Sequence, residues 1–423
     1  MRSHLRRAAQ GGSAAEDNPG VARPPPAGCD GNMPDNPMIT LPLLRLGRLQ
    51  LDPGLRALQP GSAASGLVVT ATVPVPDSSA DRPYAWDVAW ADAAREARKL
   101  GADQGTAQAL AGGAGKALVG GTRVVVAAHG QVLLARWLPL GAGVSSVRAG
   151  PLPHLQEVAA AAAQRPAYVV VLADRDGTDI ITHASGDQLP ARRFPVGRRP
   201  GAQHDPHPDR PPAQHHGERH VTDSEPESGG QRNAEFIAGR VSQAAASVGA
   251  HIVLGAGDQH ILDAVEGHLP ESIGPITTLA GGREPDGLDD RLSAAIGAAL
   301  NEITAAAVSA VGDLVASLAE GPSPAAVRGI KAVAEQLAEQ QVAVLLVSAD
   351  VSADADADSS YRTGIRPTEF LVGDSDAGVE VPLEDGLVWA AVHQDAIVVQ
   401  LPERTGPLAG EPAAALLRRG SAS

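Results

Sequence analysis

The stretch Tyr168-Val-Val-Val-Leu-Ala-Asp-Arg-Asp-Gly-Thr-Asp-Ile-Ile181 decides how this chain is read. Tyr168–Ala173 is an unbroken apolar run, too short for an ordinary helix and bounded by turn residues, so it reads as a strand. Asp174-Arg-Asp-Gly177 turns the chain and Asp179–Thr182 returns it, the signature of a hairpin. Downstream the period changes. Ala234, Ile237, Ala238, Val241, Ala245 and Val248 line one face of a helix expected from Arg232. A strand at Ile252–Leu254, a helix from Asp258 and a short strand near Ile276–Leu279 follow. Leu288, Leu292, Ile296, Ala299, Ile303, Ala307, Val311, Leu314 and Leu318 then mark a long helix, stopped by Gly321-Pro-Ser-Pro324. Helices alternating with strands imply α/β layers.

Upstream, Leu67–Val73, Thr122–Ala127 and Gln131–Leu138 read as strands and Asp87–Lys99 as a helix between them. Beyond the long helix, the pattern predicts a helix over Ala325–Leu337, a strand over Val342–Val347 and an acidic loop. Glu369–Val372 and the strands Leu387–Val392 and Ala396–Leu401 complete it. The expected organisation is a disordered leader (1–38), a divergent N-terminal α/β domain (39–160), a middle domain (161–320) and a C-terminal domain (321–423). Within the middle domain, residues 191–230 read as a mobile loop. Ala191–His220 loses all hydrophobic period and is dense in Pro, Arg and His.

Composition narrows the function. Hydrophobic residues make up 43% of the 423 residues but aromatics only 2%, so cores must be built from Ala, Val, Leu and Ile. No apolar run approaches the ~20 residues that cross a bilayer, and the basic start lacks the apolar stretch of a signal peptide. The single cysteine, Cys29, excludes an intramolecular disulfide framework. A cytoplasmic protein without a membrane segment is expected. Net charge is −15 and uneven: residues 1–220 hold 23 Lys+Arg against 19 Asp+Glu (+4), residues 221–423 hold 11 against 30 (−19). So acidic a C-terminal half argues against DNA as a partner and confines any RNA contact to a local patch. The arginines Arg192, Arg193, Arg198 and Arg199 are the candidate RNA-binding residues.

Several motifs invite chemistry and each has a plainer account. Asp174-Arg-Asp-Gly-Thr after a strand, with Asp258 and Asp263 further on, resembles the acidic motifs of Mg²⁺-dependent haloacid-dehalogenase-type phosphatases. The lysine such a site needs is missing between Lys116 and Lys331, and a tight hairpin explains the first motif. Gly112-Gly-Ala-Gly-Lys116 imitates a phosphate loop, but Ala117 stands where Ser or Thr would bind Mg²⁺. Asp350, Asp354, Asp356 and Asp358 lack the Gly and Glu of a calcium loop. His204, His207, His215, His216 and His220 match no zinc spacing. No metal and no cofactor are expected. Gly229-Gly230-Gln231 is the remaining candidate: glycines allow close backbone approach, and a glutamine can orient a water while its peptide N–H stabilises an oxyanion.

From about Pro166 onward the layout resembles the middle and C-terminal domains of the archaeal/eukaryotic release factor and Pelota superfamily, in its bacterial, actinobacterial branch. The resemblance is carried by Tyr168–Ile181, the loop to Gln231, the helix to Val248, Ile252–Asp258, the helix Leu288–Leu318 and the strands to Leu401. It implies a three-domain ribosome A-site binder whose C-terminal domain resembles the L7Ae fold. Its implied partners are rRNA, P-site tRNA and a translational GTPase, and its setting is stress, dormancy or ribosome rescue. In release factors proper, Gly-Gly-Gln promotes hydrolysis of the peptidyl-tRNA ester, which makes Gly229, Gly230 and Gln231 the candidate catalytic triplet. Only about twenty residues separate Gln231 from Ile252, however, a helix of at most about 30 Å. Aligning helix ends would move the loop tip to Gly201-Ala-Gln-His204. The reading therefore favours a non-hydrolytic ribosome binder, with peptidyl-tRNA hydrolysis and then the phosphatase as its alternatives.

Overall fold

A computed structural model describes residues 45–49, 51–58, 66–75, 82–116, 121–138, 145–174, 177–186, 192–196, 225–282, 290–319, 325–351, 361–364, 368–372, 378–404 and 406–418. Over these described residues the chain is mixed α/β, with three main sheets. The first has order β3-β2-β1-β4, all antiparallel, from β1 (Val68–Pro74), β2 (Thr122–Ala128), β3 (Gln131–Leu138) and β4 (Ser146–Gly150). Val69, Ala71, Val73, Val125 and Ala127 point to one face, as the two-residue period of a strand requires. There they meet α1 (Arg82–Lys99) and α2 (Gln104–Gly112). Three of the four tryptophans seal this layer: Trp86 stacks on Trp137 at 5.5 Å and meets Trp90 edge-on at 5.7 Å.

A helix buried on nearly every side follows, α3 (Gln156–Gln164). It is built of alanines because sheet and helices crowd it from several directions. Gly47 shows how tightly: a Cβ there would lie 1.8 Å from the Ala162 carbonyl oxygen. Val158, Ala159, Ala161 and Ala162 of α3 belong to one core with Val124, Val126 and Leu134 of the first sheet and Leu345, Val398 and Ala415 of the last. The first and last parts of the chain, expected as separate domains, thus share a continuous core.

The middle unit forms a five-stranded sheet of order β7-β6-β5-β8-β9. The quoted stretch makes the hairpin β5 (Tyr168–Ala173) and β6 (Thr178–His183), with β7 (Arg192–Val196) on its outer edge. Helix α4 (Glu225–Val248) carries the chain to β8 (Ile252–Gly257), which lies parallel to β5. Then come α5 (Gln259–Glu266) and β9 (Ile276–Leu279), parallel to β8. α4 and α5 cover one face. Leu292, Ile296 and Leu300 of α6 (Asp290–Leu318) cover the other.

Helix α6 also joins the two bodies. Its second half, through Ala307, Val311 and Val315, packs on the last sheet, order β10-β16-β11-β15. These strands are β10 (Ala326–Arg328), β11 (Val342–Ser348), β15 (Ile397–Leu401) and β16 (Ala413–Leu417). Between them lie α7 (Ile330–Ala338), the small sheet of β12 (Tyr361–Thr363), β13 (Phe370–Val372) and β14 (Val379–Glu380), and α8 (Leu383–His393). α6 is the one described helix whose length and composition would suit a membrane span; its apolar stripe is instead buried against two sheets.

Four sequence expectations are corrected. Leu387–Val392 is not a strand but lies in α8, whose residues from Leu383 to Val392 are all buried; a helix enclosed on all sides has no polar face to reveal its period. The helix expected over Ala325–Leu337 is strand β10 followed by α7, with Gly329 at φ 87° making the turn between them. Residues 192–196 of the expected loop form β7, where Pro195 is tolerated because the strand is at the edge. The helix expected from Arg232 begins seven residues earlier, at Glu225.

Candidate functional site

The earlier start of α4 changes what the Gly-Gly-Gln triplet can do. Gly229, Gly230 and Gln231 lie inside the helix and not at a loop tip ahead of it. The amide of a seventh helical residue is bonded four residues back, so the Gln231 N–H is engaged and cannot serve an oxyanion in this conformation. Its side chain is exposed. Further along α4, Ala234, Ile237, Ala238, Val241 and Ala245 are packed onto the sheet. The alternative tip, Gly201–His204, lies outside the described residues.

The candidate RNA-binding arginines divide. Arg192 and Arg193 sit on β7 and are both exposed. Arg193 Nη2 reaches the buried Asp179 Oδ2 at 2.7 Å, so much of its charge is spent within the sheet. Arg198 and Arg199 lie outside the described residues, as do Cys29, Ala117, the five loop histidines and Asp354, Asp356 and Asp358.

The other motifs resolve into local structure. Asp174 Oδ1 accepts the Gly177 amide at 2.8 Å and closes the hairpin turn. Asp258 Oδ1 accepts the His260 amide at 3.0 Å and caps α5. Gly257 positions that cap: its φ is 115° and a Cβ would meet the Ala173 carbonyl oxygen at 1.9 Å. Both carboxylates thus have turn or cap duties, and no group of three or more potential ligands gathers among the described residues. The Gly112–Lys116 loop follows the C-terminal end of α2, where Gly113 is the C-cap. It presents carbonyls to cations and donors: Arg123 bonds the Gly113 oxygen at 3.1 Å and Trp86 Nε1 the Gly115 oxygen at 3.0 Å. A phosphate loop needs the reverse, amides at a helix N-terminus. Asp350 is held below the usual carboxylate range chiefly by its hydrogen bond from Arg404 at 3.0 Å.

One polar cluster went unread in the sequence. His154 Nδ1 lies 2.7 Å from Asp385 Oδ1, both side chains being buried. Arg148 reaches Glu384 at 3.3 Å, and the His154 amide bonds Thr70 Oγ1 at 3.0 Å. Burial raises the Asp385 pKa, opposed by the hydrogen bond from His154. The cluster ties the loop after β4 to the first turn of α8. Residues 231 positions apart leave no spacing signal by which a single sequence could pair them.

With the fold and these residues in place, comparison with known proteins shows a likeness to release factors of the archaeo-eukaryotic type found in bacteria, confined to the middle part of the sequence. More particularly, residues 167–318, from β5 to the end of α6, match the family model Bacterial archaeo-eukaryotic release factor family 2. Among solved structures the chain is similar to an archaeal translation termination factor (14% identity, covering 86% of this chain and 96% of that one, TM-score 0.21). It is likewise similar to archaeal Pelota in a ribosome-bound model with ABCE1 (13%, 88% and 96%, TM-score 0.36). A third is Archaeoglobus fulgidus Pelota (15%, 72% and 80%, TM-score 0.30). A search of curated proteins by sequence found no match.

Proposed function

We propose that this chain is a ribosome-binding factor of the release-factor/Pelota type that occupies an empty A site and does not itself hydrolyse peptidyl-tRNA. The match of β5 through α6 to a bacterial release-factor family carries the reading. The enclosure of Gly229-Gly230-Gln231 within α4 supports its non-hydrolytic part. Its contacts would be rRNA and P-site tRNA, met by the middle unit through Arg192, Arg198 and Arg199 on an otherwise acidic chain. Arg193, already paired with Asp179, would contribute less. A translational GTPase is the proposed delivery partner, the C-terminal body, read as L7Ae-like, its docking element, and cytoplasmic stress, dormancy or rescue its setting.

Cosedimentation tests this reading. The purified chain should pellet with 70S particles at low salt, and Arg192→Ala/Arg198→Ala/Arg199→Ala should weaken pelleting and flatten its salt dependence. Failure of the unaltered chain to pellet with 70S or 50S particles at low salt would overturn it.

A further inference from the structure

The outward face of α4 is left exposed by the fold of the middle unit. At 100° per residue, the buried stripe Ala234, Ile237, Ala238, Val241 and Ala245 puts Arg232, Phe236, Gly239, Arg240 and Gln243 on the opposite side. All five are exposed. Phe236 is 43% exposed, one of only three phenylalanines in a chain of 2% aromatics; Phe370 is buried and Phe194 packs against the middle core. Arg232 and Arg240 stand one turn before and one turn after it. They are two of the 11 Lys+Arg that residues 221–423 hold against 30 Asp+Glu. Arg240 Nη1 bonds the neutral Gln243 Oε1 at 2.9 Å, which orients the guanidinium without cancelling its charge. Glu235, also exposed, lies a quarter-turn round the helix from Phe236.

Gly239 adds an independent pointer. Glycine inside a helix costs about 1 kcal/mol relative to alanine. Here no steric requirement explains it, since a Cβ would meet nothing within 4 Å and φ is not positive. Its effect is to leave open the surface beside Phe236.

We propose that this face binds single-stranded RNA, an unpaired base stacking on the Phe236 ring while Arg232 and Arg240 hold phosphates about 6 Å along the axis to either side. The proposal deepens the ribosome-binding reading and rests on it for the source of the RNA. The chemistry favours RNA over a protein partner. Base stacking needs a single aromatic plane with cations beside it, whereas a protein anchor needs a wider apolar patch than Phe236 among Gly, Gln and Arg supplies.

The test uses the full chain, a labelled oligouridine 12-mer, an RNA duplex of the same length, and 70S particles. Phe236→Leu keeps an apolar, helix-compatible side chain but removes the ring. It should weaken oligouridine binding about tenfold and leave duplex binding unchanged, while Phe236→Trp retains binding. Arg240→Gln should weaken binding and lower the magnitude of the salt slope by about 0.7. No binding of oligouridine by the unaltered chain, or equal binding by Phe236→Leu, overturns the proposal. Loss of ribosome pelleting in Phe236→Ala but not Phe236→Leu would assign the face to a protein and overturn it too. If the unaltered chain fails to pellet with ribosomes yet binds oligouridine through Phe236, the A-site reading fails and this surface stands.

Discussion

His183 ends β6 with its ring flat on Tyr168, centroids 4.3 Å and planes 5° apart, in an environment that leaves it 4% exposed. Burial pushes its pKa down to about 4, with the charge of Arg165 adding to the effect. The unfolded chain, near 6.5, therefore binds this proton more readily than the folded one. The stability it contributes is fully present above pH 6.5 and is lost as pH falls towards 4, a loss of up to about 3 kcal/mol. His183→Phe keeps a ring against Tyr168 and removes the titration, so urea melts between pH 7 and 4 should show a shallower fall in stability than the unaltered chain. Identical slopes would show that His183 is not buried as described. Neither this histidine nor the His154–Asp385 pair could be singled out from sequence. His183 follows Ile-Ile-Thr in an ordinary strand end, and His154 finds its carboxylate only when α8 packs beside β4.

Among the elements, β5 and β6 were legible because an apolar run and an Asp-Gly turn both point to a hairpin, and each survives burial. α8 was not, because its Leu-Val-Trp-Ala-Ala-Val run is apolar on all sides. β16, Ala-Ala-Ala-Leu-Leu, was missed for a related reason: alanines favour helix locally, yet this strand pairs with both β10 and β11 in the sheet interior. The start of α4 was misplaced because glycines discourage a helix, and this one contains two in succession. That placement is testable. If residues 229 and 230 are helical in the working protein, Gly230→Ala should stabilise α4 by about 1 kcal/mol, read as slower amide exchange in its first turns. In a release assay on ribosomes with peptidyl-tRNA in the P site, the unaltered chain and Gln231→Ala should give the same background level. Robust release that collapses in Gln231→Ala would make the triplet catalytic. Helix α6 offers a second test, since it spans two cores. Leu300→Ala should cost about 2–5 kcal/mol and lower exchange protection mainly in β5 and β8. Val311→Ala should cost somewhat less and expose mainly β16. Equal loss of protection in both sheets from either change would contradict the division of α6 between them.

At the scale of the molecule, the middle sheet has its own cores on both faces, while the first and last thirds share one. Arg56–Asp395 at 2.9 Å and the His154–Asp385 pair reinforce that union across 339 and 231 positions of sequence. The Gly-Pro-Ser-Pro stretch signalled the end of a helix; the shared core left no such signal, because helix and strand patterns report which face is apolar and not what covers it. The assembled protein then presents α4 and β7, with their arginines, from a body whose net charge is −15. In the proposed function this surface is carried to an empty ribosomal A site. Pelleting of the full chain with 70S particles holding P-site tRNA, with the A site either vacant or filled by aminoacyl-tRNA, tests it most directly. Binding to the vacant particles is expected, and it should be lost when the A site is filled. Equal binding to both, or to neither, would contradict it.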